Sequence, residues 1–193
     1  MSHVKRTILL SIFISLSFIT VLAQQPAVAR VSDSWVNVAP ANAGFSVLMP
    51  AQPSEKVEKV ESRPGVEHHI LTLDTKQAGY VVSYVQLADE VTDAAAVKLM
   101  LDRGRDGGIA SSGGKLKSEK EIKLNEYLGR EWIIELPGGL LATTRAYWVK
   151  LRLYQTVFII SPNASDPPEV TKLRQELAAT FLDSFSLSDE VSK

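Results

Sequence analysis

The sequence contains no cysteine. This absence excludes disulfide bonds, a thiolate nucleophile, zinc held by cysteine, and a lipid-modified cysteine at a mature N-terminus. The fold must therefore be stabilised by burial of apolar surface, which a chain of 193 residues can supply.

The sequence also lacks an excess of charge of one sign. It has 21 Lys and Arg residues against 22 Asp and Glu residues, and its formal net charge is -1. Nucleic-acid binding needs a concentrated basic face, and an anionic membrane surface attracts a polybasic segment. We expect neither of these partners for this chain.

The longest uncharged apolar run lies at the N-terminus, over 7–22, directly after a short basic start. It is shorter than the roughly 20 residues that a spanning helix needs. Small side chains at Ala23 and Ala29 offer cleavage sites, so the pattern predicts a secretory signal peptide over 1–29. An uncleaved anchor is the alternative. We expect a periplasmic or secreted protein with no membrane insertion after cleavage.

The remaining chain reads as a flexible lead-in at 30–34, one globular domain at 35–187 and a polar tail at 188–193. Alternating, β-branched and aromatic residues predict strands throughout the domain. The predicted strands are 35–38, 45–49, 56–61 (at an exposed edge), 68–74, 80–87, 115–124, 130–136, 140–148 and 151–160, with a short closing strand around Phe185 and Leu187.

Helical spacing of apolar residues predicts two helices. The first starts near Thr92 as its cap and ends between Gly104 and Gly108. The second is capped by Asp166, with Pro167 at its first position. Long runs of strands between single helices predict an α+β fold with a mostly antiparallel sheet flanked by helices, and 151–160, the most hydrophobic strand, is expected in mid-sheet.

Several short motifs of the domain resemble a known family. The motifs are Trp35 followed by Gly44-Phe45-Ser46-Val47, Pro50-x-x-Pro53, Gly129-Arg130-Glu131 ahead of a hairpin, Tyr154 in the last long strand, and Phe181-x-x-Ser184-Phe185. Together they resemble small PsbP-like and Mog1-like domains over about 35–187. The resemblance implies an antiparallel sheet sandwiched by helices and a non-enzymatic accessory or binding role, and it carries no site residue with it.

His68 and His69 are candidates for metal binding or for a catalytic base. Neighbouring residues of a strand point to opposite faces, so both rings cannot easily chelate one ion, and further ligands such as Glu67 or Asp74 would be needed. A hydrolase would have to use one of these histidines as its base, with Ser111, Ser112 or Ser161 as a nucleophile.

A charged cluster and a glycine-rich segment follow each other in the predicted first helix. Asp102, Arg103, Arg105 and Asp106 could hold a phosphate or carboxylate, although such a cluster is more typical of a solvated helix end. The glycines from Gly104 to Gly108 follow a helix, whereas a phosphate cradle precedes one, so we reject that function. Asn163-Ala164-Ser165 fits a glycosylation acceptor in an exposed turn.

Aromatic residues are concentrated in the C-terminal strands. On alternating strand faces some of them should be buried, and an outward pair would form a partner-binding patch. The candidates for this patch are Trp132, Tyr147, Trp148 and Tyr154.

The sequence thus predicts an exported, non-catalytic binding or accessory module that engages a protein partner and needs no cofactor. A small-ligand or ion-binding envelope domain is the first alternative, and an envelope hydrolase using His68 or His69 is the second.

Overall fold

The computed structural model describes residues 35–61, 63–88 and 90–188. The predicted signal peptide at 1–29, the lead-in at 30–34 and the tail beyond Ser188 lie outside the described residues. Within the described part of the chain, neither helix is long and apolar enough to cross a membrane.

The largest element is a seven-stranded sheet in which every neighbouring pair is antiparallel. Its order is β3-β4-β5-β9-β8-β7-β6. The strands are β3 (Ser54–Lys59), β4 (Glu67–Asp74), β5 (Gly79–Gln86), β6 (Lys115–Leu124), β7 (Tyr127–Glu135), β8 (Leu141–Val149) and β9 (Arg152–Ile160). The hydrophobic β9 is the central strand, as predicted, and the charged strands β3 and β6 form the edges.

A small sheet and one helix cover one side of the large sheet, which we call the α2 face. They consist of β1 (Val36–Val38), β2 (Phe45–Met49), α2 (Pro168–Asp183) and β10 (Ser186–Leu187). β2 pairs with both β1 and β10. The core between these layers is rich in aromatic rings that meet edge-on or stacked, namely Phe45, Tyr80, Tyr84, Tyr154, Phe158, Phe181 and Phe185.

The other side of the large sheet, which we call the α1 face, carries α1 (Ala94–Ser112). This helix packs over β7 and β8. It buries Val97 and Leu101 against a second apolar cluster that includes Trp132 and Trp148. The protein is therefore a three-layer α+β sandwich, which confirms the predicted fold class.

The predicted end of α1 is wrong, because the helix continues through Gly104, Gly107 and Gly108 to Ser112. The residue that ends it is Gly113, which takes the left-handed conformation at φ +63° that favours glycine. At its start, Asp93 is the cap, and its carboxylate accepts a hydrogen bond from the Ala96 N–H at 2.7 Å.

The start of α2 also differs from the prediction. Pro167 occupies the cap position and the helix begins at Pro168. Asp166 instead accepts a hydrogen bond from the Asn163 N–H at 2.9 Å and pairs with Arg174. Its carboxylate therefore closes the preceding turn and does not cap the helix.

The edge strand β3 lies two residues earlier than predicted, at 54–59 in place of 56–61. Ser54 joins the sheet because its hydroxyl lies 3.0 Å from that of Thr72 on β4. The backbone N–H of Val60 bonds to the carbonyl of Val66, so the residues after Lys59 form the turn into β4. The sequence therefore located the edge strand correctly and misplaced its ends.

Candidate functional site

The two adjacent histidines point to opposite faces of the sheet, as strand geometry requires. His68 is buried, with 5% of its surface exposed, and burial lowers its pKa, with Glu58 opposing and His69 adding to the shift. A buried ring held neutral in this way belongs to the interior of the α1 face. The two rings cannot bind one metal ion.

His69 lies on the α2 face, at the open end of an aromatic row. Its ring stacks on that of Tyr84 at 4.5 Å with an interplanar angle of 8°. Its Nδ1 lies 3.0 Å from an oxygen of Glu55 and its Nε2 lies 3.9 Å from one of Glu67. The described residues contain no group of three or more His, Asp or Glu side chains that could hold a metal ion. His69 is thus held by a ring contact and carboxylates.

The charged residues of α1 are mostly bound to the sheet. Arg105 pairs with Glu119 on β6 and, at 2.8 Å, with Asp106. Asp102 lies 2.7 Å from Arg130 on β7, which also reaches Glu119 at 3.2 Å. We call Asp102, Arg105, Glu119 and Arg130 the ion-pair network. It connects the helix to the edge of the sheet.

Only some of the buried polar groups of the ion-pair network have a hydrogen-bond partner in the described part of the chain. The hydrogen bond from Arg105, aided by Arg130, lowers the pKa of Glu119. The contact between Asp102 and Arg130 is close but is not aligned as a hydrogen bond, and Nε of Arg130 is buried with no hydrogen-bond partner among the described residues. A buried donor without a partner opposes stability. The network therefore holds α1 in place at some cost.

Arg103 is the member of the predicted cluster that the network does not include. On a helix, residues Lys98, Asp102 and Arg105 face β6, and Arg103 lies on the other flank. Arg103 is half-buried and makes no ion pair within the part of the chain that the structure describes. The four charged residues therefore do not converge on one anion.

The predicted serine nucleophiles lie away from both histidines along the fold. Ser111 and Ser112 end α1, and the hydroxyl of Ser112 donates to the Ile109 carbonyl at 3.3 Å. Ser161 follows β9 in an exposed loop. In the exposed turn that carries the glycosylation motif, the Ser165 hydroxyl donates to Oδ1 of Asn163 at 2.8 Å. The Ser111 hydroxyl donates to the Gly108 carbonyl at 3.2 Å, within the same helix.

The proposed aromatic patch is not on the surface. Trp132 and Trp148 are buried under α1, whereas Tyr147 and Tyr154 are buried on the α2 face. The alternation of strand residues divides the four between the two cores, and each core is closed over them. An outward aromatic pair is therefore absent among these four side chains.

Specific contacts hold the buried aromatic residues. Nε1 of Trp148 donates to the Lys150 carbonyl at 3.0 Å, and the Tyr154 hydroxyl donates to the Ala43 carbonyl at 2.8 Å. The Tyr147 ring lies over Gly129, where an added Cβ would come within 2.4 Å of that ring. Gly129 thus has a packing role, which explains why a glycine precedes Arg130 in β7.

The structure reveals a surface that the sequence analysis missed, on the α1 face beside the helix. Because α1 packs over β7 and β8, it leaves the same side of β4 and β5 without a helix. Half-buried side chains of three strands form this surface, which we call the open face: Ile70, Thr72, Val81 and Ile159. Beside them lie two buried polar residues, Ser83 and Gln155, joined by a hydrogen bond of 3.4 Å.

A signal for the open face is present in the sequence. The segment of β5 is apolar on both of its faces, with Tyr80, Val82 and Tyr84 on one side and Val81 and Val85 on the other. A strand of this kind is normally covered on both sides. Only two helices were predicted for the domain, so one part of the sheet had to remain without a helix.

The comparisons with known proteins give the fold. No family model and no curated protein matches this chain. The solution structure of the cyanobacterial PsbP protein CyanoP from Synechocystis aligns with a TM-score of 0.52 at 14% identity, covering 86% of this chain and 98% of that chain. A protein of unknown function from Pseudomonas aeruginosa, PA94, aligns at 14% identity and covers 77% of this chain and 96% of that chain. Its TM-score of 0.41 is too low to bear on the fold. The chain therefore has a PsbP-like α+β fold, as its motifs predicted.

Proposed function

We propose that this protein is an exported, non-catalytic accessory module that binds a protein partner on the open face. The observation that carries the proposal is the incomplete cover of the α1 face. Apolar side chains of β4, β5 and β9 remain half-buried there, next to a helix that is held partly by ion pairs. Exposed apolar surface rimmed by polar groups is typical of interaction sites.

The chemistry-bearing side chains support a binding role. His68 is buried, and His69 is stacked on Tyr84 and paired with Glu55. A general base has to reach its substrate, and both imidazoles are already engaged in contacts of the fold. This arrangement does not favour the hydrolase alternative.

Export is the second part of the proposal, and it rests on the basic, apolar and small-residue pattern of the N-terminal segment. We expect the protein isolated from its own host to begin after Ala23 or Ala29. N-terminal sequencing measures this directly. A protein that still begins at Met1 would contradict cleavage and favour the retained anchor.

The partner site is tested by site-specific photo-crosslinking in the host. A photoreactive benzoylphenylalanine is placed at Thr72 or Val81 on the open face, with Lys172 on the solvent side of α2 as the control position. We expect discrete adducts of the same added mass from both open-face positions and none of that mass from Lys172. Equal adducts from all three positions, or none from the open face, would contradict the proposal.

A small-ligand function is the second candidate, and the Ser83–Gln155 pair is the observation that favours it. Both residues are polar and buried beside the open face. A ligand at about 100 times its dissociation constant stabilises a protein by roughly 2.7 kcal/mol. A thermal-unfolding screen against metals, sugars, nucleotides and lipids separates the two candidates. A shift of that size that is lost in Gln155→Leu would assign the site to a small molecule.

A further inference from the structure

The edge strand β3 ends the large sheet, and its outer side pairs with no strand among the described residues. An unpaired edge presents backbone N–H and C=O groups that can extend the sheet with another strand. At the centre of this edge, Val57 has 48% of its surface exposed, and it is one of the exposed large apolar residues of the protein. This edge is therefore available for pairing.

The charges of β3 form a pattern that is complementary to itself. The strand reads Ser54-Glu55-Lys56-Val57-Glu58-Lys59. If a second copy approaches antiparallel about a two-fold axis at Val57, Lys56 faces Glu58 of the other copy and Glu55 faces its Lys59. Each of these pairs occurs on both sides of the axis, and the two Val57 side chains meet at the centre.

The neighbouring registers lack this complementarity. A shift by one residue places Glu55 opposite Glu58, and a shift by two residues places Lys56 opposite its own copy. Opposite charges on facing residues stabilise an antiparallel pair, whereas like charges destabilise it. The sequence of β3 therefore selects the register centred on Val57 among those that overlap most of the strand.

Charged side chains are paired within the same copy at both edges of the sheet. In β3, Lys56 pairs with Glu58, and pairing of two β3 strands would exchange this contact for the same contact between copies. In β6, Lys117 pairs with Glu135 at 2.8 Å and Lys120 with Glu131 at 2.8 Å. A register shift between Leu116 and Ser118 also interrupts this strand. A bulge is one of the usual protections of a sheet edge. β3 has no register shift against β4.

We propose that two copies of this chain form a symmetric dimer by antiparallel pairing of their β3 strands, centred on Val57. The closed two-fold arrangement uses the same strand on both copies, so it stops at two. Because facing residues of an antiparallel pair point to the same side, both open faces lie on one side of the joined sheet. The proposal does not depend on what the open face binds.

The absence of cysteine makes a direct test possible, because an introduced thiol is unique in each chain. Val57→Cys places two thiols on opposite residues, whose Cα atoms in an antiparallel pair are within the range that a disulfide spans. Leu99→Cys on α1 is the matched control, since Leu99 is also 48% exposed. We expect the full chain with Val57→Cys to form disulfide dimers at least about tenfold faster under mild oxidation, since pairing raises the effective concentration of the thiols.

A charge exchange tests the register independently. Lys56→Glu and Glu58→Lys each place like charges opposite each other, so each variant alone should sediment as a monomer at concentrations where the wild type dimerises. Mixing the two variants restores opposite charges at every facing pair and should restore the dimer. The double variant Lys56→Glu/Glu58→Lys should dimerise alone. A variant that only unfolds would not be rescued by mixing.

Sedimentation velocity over a concentration series gives the readout, and circular dichroism shows that each variant is folded. Recovery of the dimer in the mixture, together with faster crosslinking at Val57 than at Leu99, supports the proposal. Equal crosslinking rates at the two positions, or a wild-type dimer that persists in both single charge variants, would overturn it.

Discussion

The two faces of the large sheet are closed by different means. On the α2 face, a second sheet and α2 seal a core of stacked and edge-on aromatic rings around Tyr154, which is fully buried. On the α1 face, a helix with Gly104, Gly107 and Gly108 in its interior covers only part of the sheet. Burial dominates the first face, where one ion pair joins Asp183 of α2 to Arg145 on β8 at 2.6 Å. On the second face the larger ion-pair network adds to the burial.

This difference shows where the protein can bind without losing its fold. The aromatic core is the larger of the two clusters of buried apolar residues and leaves little room for change, since packed interiors resist rearrangement. The α1 face combines a helix of low intrinsic propensity, buried polar residues and a strip of uncovered sheet. Binding surfaces are drawn from the less stable parts of a structure. The open face is such a part.

The largest effect on the free energy of unfolding is expected from a cavity in the core of the α2 face. Phe181 has no exposed surface, and its ring meets Tyr80 at a centroid distance of 5.2 Å. Phe181→Ala should lower the free energy of unfolding by about 3–5 kcal/mol, because the cavity cannot be refilled. Urea unfolding followed by circular dichroism measures this loss. A loss below about 1 kcal/mol would mean that this core is not tightly packed.

A smaller effect is expected from breaking the ion-pair network. Arg130→Met keeps the apolar stem and removes the partner of Asp102 and Glu119, so stability should fall by about 1–3 kcal/mol. The control is Lys172→Met, whose exposed pair with Glu176 is worth under about 1 kcal/mol. Added salt should destabilise the wild type more than Arg130→Met, since salt screens charge pairs. Equal salt dependence would place the stabilisation elsewhere.

The pH dependence of stability distinguishes the faces through His68, which lies within the α1 face. Its folded pKa is lowered by burial below the usual 6.5, so the unfolded chain binds the extra proton first as pH falls. Stability from this residue is therefore full above about pH 7 and is lost as pH falls through about 6.5 toward the folded pKa.

Urea unfolding of the wild type and of His68→Gln at several pH values measures this loss. We expect the variant to lose less stability than the wild type between about pH 7 and pH 5.5. His69→Gln, on the α2 face, is the control: it removes only the smallest of the contributions to the His68 shift, so most of the wild-type slope should remain. An unchanged slope in His68→Gln would contradict the buried, neutral assignment.

The smallest effect is an increase in stability. Gly104→Ala places a Cβ 3.9 Å from Nε2 of Gln155, an ordinary contact, and should stabilise α1 by about 0.5–1 kcal/mol through helix propensity. Gly113→Ala is the control for which a loss of stability is expected, since the φ of +63° at Gly113 disfavours a side chain. Thermal unfolding measures both. A destabilising Gly104→Ala would show that the close approach of α1 requires glycine.

The sequence predicted the elements better than it predicted the surfaces. Alternation placed β2, continuous hydrophobicity placed the central β9, and a partial alternation of mostly polar residues placed β6, because each of these patterns lies within the strand itself. The end of α1 was missed because ion pairs from Arg105 to β6 support a helix that glycine content alone disfavours. Such support depends on residues distant in the chain.

The predicted aromatic patch was wrong for a related reason. Aromatic density predicted a patch at Trp132 and its neighbours, yet whether an aromatic ring is covered depends on which helix packs over its strand. The open face and the β3 edge appear only when the sheet order is known, because they are defined by the elements that do not cover them. The self-complementary charges of β3 were visible in the sequence, and they gained meaning when that strand proved to be an edge.

Amide hydrogen exchange, followed by mass spectrometry at low and at high salt, tests the difference between the two faces most directly. We predict that the amides of α1 from Gly104 to Ser112 exchange through a local opening that salt accelerates, while those of β9 and α2 exchange with the global unfolding of the protein. Protection of α1 equal to that of β9, and unchanged by salt, would contradict the account, because the helix would then be as firmly held as the aromatic core.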